Sequence, residues 1–176
     1  MTNRVAVLFS FFTALLASTV QAQTIETEIV NEVVIDRPID EVFEYASTAA
    51  NWAEWHPNTL FTVGEDDHSA TVGEKIVEVI KAGPIPAGRL FWTVTAHDVP
   101  TRWQLKGESE DASMHFLLTY TMSSTEDGGT LFRRTLNWET KKNPFTTLFQ
   151  DLAKSLMELI SQQAVEQLKE AVESQP

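Results

Sequence analysis

The chain contains no cysteine among its 176 residues. That excludes disulfides, a thiol nucleophile, a lipidated cysteine anchor and every thiolate metal site, and leaves stability to packing alone. Histidine is scarce, with four residues at His56, His68, His97 and His115. None of these pairs at i, i+4, and no His-Glu-x-x-His pattern occurs, so no metal site is expected. There is no Gly-x-Ser-x-Gly elbow, phosphate-binding glycine loop or dinucleotide fingerprint, so no cofactor is expected either. Positive charge is in short supply: 13 basic residues face 25 acids, for a formal net charge of −12. Such a chain is poorly suited to nucleic acid or to anionic membrane surfaces. The acids are scattered rather than blocked, as in a solubilising surface. No apolar run reaches the ~20 residues that span a bilayer.

The apolar run that does exist sits at the N-terminus. Arg4 is followed by the nearly continuous apolar stretch Val5 to Leu16, then by small residues ending in Val20-Gln21-Ala22. This is the pattern of a secretory signal peptide cleaved after Ala22, the alternative being a membrane anchor. Removal of residues 1–22 takes away Arg4 and no acid, leaving −13 on residues 23–176. The expected location is periplasmic or extracellular. Residues 23–176 suit one domain, large enough to bury about two-thirds of its unfolded surface.

Along that domain, β-branched residues from Ile25 to Ile35 predict a first strand, broken at Arg37-Pro38. A short helix follows, with Asp40 and Glu41 in its first turn and Val42, Phe43 and Ala46 on its inner face. Asn51 to Trp55 reads as one or two further helical turns, stopped before Pro57. The period then changes to two. Strands are predicted over 60–63, 74–80, 90–96, 102–106, 113–122 and 130–139, with Gly83 to Gly88 as a turn and Asp127-Gly128 in a hairpin. The clearest alternation sets Met114, Phe116, Leu118, Tyr120 and Met122 on one face. Finally, Asn143 as N-cap and Pro144 at N1 open a helix of about 30 residues, roughly 45 Å long. Its apolar positions run through Phe145, Leu148, Phe149, Leu152, Leu156, Leu159, Ile160, Ala164, Leu168 and Val172.

Segregated helices beside an antiparallel sheet define an α+β domain. A curved antiparallel sheet of six to seven strands wrapped around one long C-terminal helix, with two short helices after strand one, rarely packs solid. An apolar cavity with a few polar groups is expected between them.

The stretch Val34-Ile35-Asp36-Arg37-Pro38-Ile39-Asp40-Glu41-Val42-Phe43, followed by Asn51-Trp52-Ala53-Glu54-Trp55-His56-Pro57, resembles the START-like, or SRPBCC, superfamily. The likeness extends over residues 25–174. It implies the helix-grip fold and a cavity for lipids, sterols, polyketides or other hydrophobic molecules. It does not name a ligand, because fold does not fix function. An export signal departs from the mostly cytoplasmic members of the group.

The candidate cavity wall consists of Trp52, Trp55, Trp92, Trp103 and Trp138 with Phe116, Leu118 and Tyr120, and of Phe149, Leu152 and Leu156 from the helix acting as lid. Ordinary core is the competing assignment for each. Arg134 shares its strand parity with Phe132, Leu136 and Trp138, so it points inward. A buried arginine is paired or binds an anion. It either meets an acidic ligand head group or, as the default, pairs with Glu78. His56, placed at the expected cavity mouth, is a candidate general acid or base, or else a solvated loop residue. His115 lies with threonines on the less apolar face. Three functions follow: a carrier of a hydrophobic small molecule, favoured by export and by the lack of a catalytic constellation; a cyclase/aromatase-like enzyme using His56 with Arg134 or Tyr120; or a ligand-free envelope or stress-related interaction protein. The oligomeric state is not fixed by the sequence.

Overall fold

The computed structural model describes residues 24–82 and 85–176; the N-terminal segment read as a signal peptide lies outside them. Seven strands form one antiparallel sheet: β1 Thr24–Ile35, β2 Thr59–Gly64, β3 Lys75–Ala82, β4 Ile85–Asp98, β5 Arg102–Ser109, β6 Met114–Ser124 and β7 Thr130–Lys141. Their spatial order is β1-β7-β6-β5-β4-β3-β2. Between β1 and β2 lie α1 Ile39–Ser47, a 3-10 turn at Ala49–Asn51 and α2 Trp52–Trp55. The chain closes with α3, Pro144–Glu173. This is the helix-grip arrangement.

The sheet curves where its register slips, between Thr59 and Phe61, between Ile80 and Lys81, and between Val94 and Ala96. Each slip adds local twist and bends its strand. The slip at Ile80 also explains a difference from the sequence pattern, which assigns 83–88 to a turn and begins a strand at Leu90. Pairing resumes beyond it, with Lys81 opposite Pro86. The last pair with β5 is Leu90–Ser109. Pro86 therefore lies where β4 has β3 alone beside it, the edge condition under which proline is tolerated.

The concave face carries the alternating set foreseen from β6, of which Met114 is only partly buried, together with Trp92, Val94, Trp103, Leu105, Phe132, Leu136 and Trp138, all buried. Aromatic rings meet edge-on or tilted across it. Trp52 lies 6.3 Å from Trp92 and 6.1 Å from Trp103, and Tyr120 lies 5.6 Å from Trp103 and 5.2 Å from Phe132. Indole N–H groups must be satisfied when buried. Trp103 donates to the Ala70 carbonyl at 2.8 Å, tying β5 to the segment between β2 and β3, and Trp52 donates to the Ala46 carbonyl at 3.1 Å, tying α2 to α1.

Helix α3 begins as its sequence dictates. The Asn143 side chain accepts from the Thr146 amide at 2.9 Å, and the Thr146 hydroxyl accepts from the Asn143 amide at 2.8 Å, a reciprocal capping box. Its second half is core: Ser161, Ala164, Val165, Leu168 and Val172 are buried. A polar latch holds that end. The Lys169 ammonium donates to the Val34 carbonyl at 2.8 Å, and Glu173 accepts from the Asp36 amide at 2.7 Å. The first half departs from expectation. Phe145, Leu148, Phe149, Leu152, Leu156 and Leu159 are exposed, rather than forming a lid or core.

The two halves of α3 should therefore respond oppositely to truncation. Leu168→Ala should cost ~2–5 kcal/mol, as for a filled core site. Leu152→Ala should stay within about 0.5 kcal/mol, as for a surface site. Urea unfolding of the two variants measures both.

Candidate functional site

Between the concave face and the middle of α3 lies a cavity of about 650 Å³. Its walls are largely apolar. Trp52 comes from α2, Leu90 and Trp92 from β4, Met114, Phe116, Leu118 and Tyr120 from β6, Leu136 from β7, and Met157 and Ile160 from α3. One small residue sets the position of the Trp92 ring in that wall. Gly107, on β5, lies opposite both Trp92 and Phe116. A Cβ there would sit 2.4 Å from the Trp92 ring, so a side chain at 107 and the present indole position exclude each other.

The mouth is polar. It is lined by Ala87, Gly88 and Arg89 on one side and by Ser109, Glu110, Asp111 and Ser113 on the other. Arg89 pairs with Glu110 across it. Asp111 accepts from the Ser109 and Ser113 hydroxyls at 2.8 and 2.7 Å, and these bonds hold its carboxyl down at about 2. The rim is thus a braced hairpin end rather than a loose loop.

Deep in the cavity, four strands and two helical segments bring together a polar chain. Arg134, on β7, is only 4% exposed and donates through Nη1 to the Ser161 hydroxyl at 2.6 Å. Its Nη2 faces His56 Nε2 at 3.4 Å. His56 Nδ1 lies 3.0 Å from the Thr59 hydroxyl, which donates to buried Glu78. The second Glu78 oxygen accepts from Trp92 Nε1 at 2.9 Å. The donors run in one direction. An arginine can only donate, so His56 Nε2 accepts, and Nδ1–H then donates to Thr59. This polarity requires a neutral imidazole. Burial, then the nearby Arg134 and Lys81 charges, depress the His56 pKa from 6.5 to about 3. Burial raises the Glu78 pKa, against the bonds from Thr59 and Trp92 and the Arg134 charge that lower it. Burial also raises the Tyr120 pKa, which keeps its phenol protonated.

The sequence-derived candidates divide into three groups. Trp52, Trp92, Phe116, Leu118, Tyr120, Arg134 and His56 all line the cavity. Trp55, Trp103 and Trp138 are buried but outside its wall: the first two pack behind Tyr120, and Trp138 follows the inner face of β7 toward the sheet end. Phe149, Leu152 and Leu156 face solvent, because α3 leaves the sheet before Met157. His56 is a correction of place. It belongs to the deep polar chain, with its side chain 15% exposed, and not to the mouth. The default Arg134–Glu78 pair is also modified. The two are joined through His56 and Thr59, with the neutral His56 Nδ1 3.7 Å from the Glu78 carboxyl. Ser161 and Thr59 were missed as site residues. A serine interrupting the buried α3 stripe was the available signal for the first; nothing local marks the second. Among the described residues no group of three His, Asp or Glu side chains is placed to hold a metal.

Residues 26–173 match the protein family described as polyketide cyclase / dehydrase and lipid transport. A Penicillium ochrochloron protein named penitrem biosynthesis cluster 1 protein I is 26% identical over 121 residues, 60% of this chain and 71% of that one. Among solved structures, a Thermus thermophilus protein aligns with TM-score 0.67 at 19% identity, covering 83% of this chain and 97% of that chain. Truncated norcoclaurine synthase from Thalictrum flavum aligns with TM-score 0.64 at 13% identity, covering 89% and 99%. At such identities the structural likeness is one of fold.

Two outcomes test the geometry. His56 has a folded pKa below its unfolded one, so the unfolded state takes up the proton first, and stability must fall as pH drops from 6.5 toward about 3. His56→Gln should flatten that slope above about pH 5, where carboxylates of ordinary pKa remain ionised, as read from denaturation midpoints against pH. Gly107→Ala should cost ~1–3 kcal/mol through overpacking and shift the tryptophan emission as the Trp92 ring is displaced.

Proposed function

Because the chain belongs to the polyketide cyclase / dehydrase and lipid transport family, within the START-like (SRPBCC) superfamily, we propose that it is an exported carrier of a hydrophobic small molecule. The observation carrying this reading is the cavity of about 650 Å³, apolar along its walls and polar at its depth. A space of that size suits a sterol-, lipid- or polyketide-like molecule. Apolar contact supplies the affinity, at ~25 cal/mol per Å² buried. The polar chain gives orientation: an oxygen-bearing end group of the ligand replaces water around Arg134, His56 and Tyr120. Export rests on the N-terminal pattern of Arg4, the apolar Val5–Leu16 and the small residues before Ala22.

A second reading, catalysis in the same cavity, is favoured by one observation. Glu78 is a buried carboxyl of raised pKa in contact with the protonated, uncharged donors of the same network. A buried carboxyl whose pKa is raised is suited to proton transfer. His56, with its low pKa, is a weak base and acts instead by holding Thr59 and Glu78 in position. The relatives' names, a penitrem-cluster protein and norcoclaurine synthase, likewise belong to small-molecule chemistry.

Native purification followed by mass spectrometry of co-purifying molecules separates these readings. A bound lipid, sterol or polyketide that returns unchanged supports the carrier. Conversion of an added polyketone, abolished in Glu78→Gln, supports the enzyme. An empty protein that takes up neither overturns both. Arg134→Met should weaken binding of an acid-headed probe such as a fatty acid by about tenfold or more, the scale of one hydrogen bond to a charged group, while leaving an uncharged probe of similar size little changed.

A further inference from the structure

The first half of α3 has its apolar face on the wrong side for a lid. At roughly 100° per residue, Phe145, Leu148, Leu152, Leu156 and Leu159 share one face of the helix. The buried residues of the second half, Ser161, Ala164, Val165, Leu168 and Val172, share the opposite one, turned by nearly half a revolution. In the first half, the face continuous with the buried one carries Thr146, Gln150 and Lys154. Swinging the helix onto the sheet would therefore bury polar and charged side chains and leave the leucines in water. The stripe is not a displaced piece of core. Leu148 is 75% exposed and Phe145 70%, in a run longer than isolated surface apolar residues require.

We propose that this face docks on the surface of a phospholipid bilayer. Two observations favour that occupant. The span of the stripe, Lys141 to Leu159, holds three lysines, Lys141, Lys142 and Lys154, against two acids, Asp151 and Glu158, in a chain of net charge −12. Two of them, Lys141 and Lys142, stand immediately before the stripe. An apolar helix face with a pair of lysines at its start is a pattern of a helix lying in a lipid interface, those two cations against phosphate groups; Lys154 is on the opposite face, paired with Glu158, and takes no part. Finally, Met157 and Ile160, beside the last leucines of the stripe, line the cavity, so the docked face adjoins the compartment that holds apolar contents. The proposal rests on the helix face and stands whether or not the cavity carries a ligand.

Co-sedimentation with vesicles tests it, using the protein as produced in its own cells and vesicles of phosphatidylcholine with a minor share of phosphatidylglycerol. The wild type should bind. The double variant Leu148→Ser, Leu152→Ser should bind at least about tenfold less, since apolar burial drives interfacial binding, with circular dichroism and thermal midpoint unchanged because both side chains are exposed. Lys141→Gln with Lys142→Gln should weaken binding to these vesicles but not to pure phosphatidylcholine. Absence of wild-type binding overturns the proposal. So does equal binding by the leucine variant, which would assign binding to residues outside the stripe. A concentration-dependent dimer that the leucine variant splits, with no vesicle binding, would give the face to a second copy instead.

Discussion

A guanidinium and a carboxyl share one apolar interior without touching, and the domain is arranged around that constraint. Neither Arg134 nor Glu78 can be left unpaired there, since an isolated buried charge costs several kcal/mol. The structure meets the requirement with a directed chain from Arg134 through His56 and Thr59 to Glu78, with Ser161 and Trp92 completing the ends. Each member comes from a different stretch of sequence. The chain joins β7 to the end of α2, to β2 and β3 at the far edge of the sheet, and to α3 on the opposite side. It thereby fixes the distance between sheet and helix that the cavity occupies.

The cavity follows from two further features with different physical origins. Gly107 leaves room for the Trp92 ring to lie back against β5, which keeps that indole at the wall. The register slips in β2, β3 and β4 curve the sheet, so its concave face cannot be filled by one straight helix. A hydrophobic interior of this form is open by construction, with walls that are continuous with the core. This is why Trp52 and Trp103, 6.1 Å apart and chemically alike, divide into wall and core.

The fold was legible because its signals are periodic. Alternation in β6 and β7 gave the inner face, including the inward turn of Arg134, parity with Ile76 and Ile80 on β3 gave that of Glu78, and Asn143-Pro144 marked the start of α3. The site was legible to the extent that parity determines it. What parity cannot supply is depth. It placed Trp103 and Trp138 on the correct face but could not set them beyond the cavity. Apolar spacing along α3 likewise suggested one stripe, although its two halves face different ways. Phe145 to Leu159 and Ala164 to Val172 are each periodic; the offset between them appears only when both are set on one helix axis. The depth of His56, named from sequence but placed at the mouth, eluded that reasoning for a different reason. A histidine beside a proline in a connecting segment has no period, and its burial depends on Thr59 and Arg134, the second of them far away in the chain.

Helix α3 is in effect a cantilever. Its root, from Ser161 onward, is clamped in the core and latched at Lys169 and Glu173, while its arm from Pro144 to Leu156 stands clear of the sheet. A stiff arm of about 13 residues, near 20 Å, converts a small tilt at its tip into rotation at the first clamped residue. That residue is Ser161, whose hydroxyl receives Arg134. Load on the outer surface of the protein is thus delivered, by leverage alone, to the bond that holds the deepest cation in place.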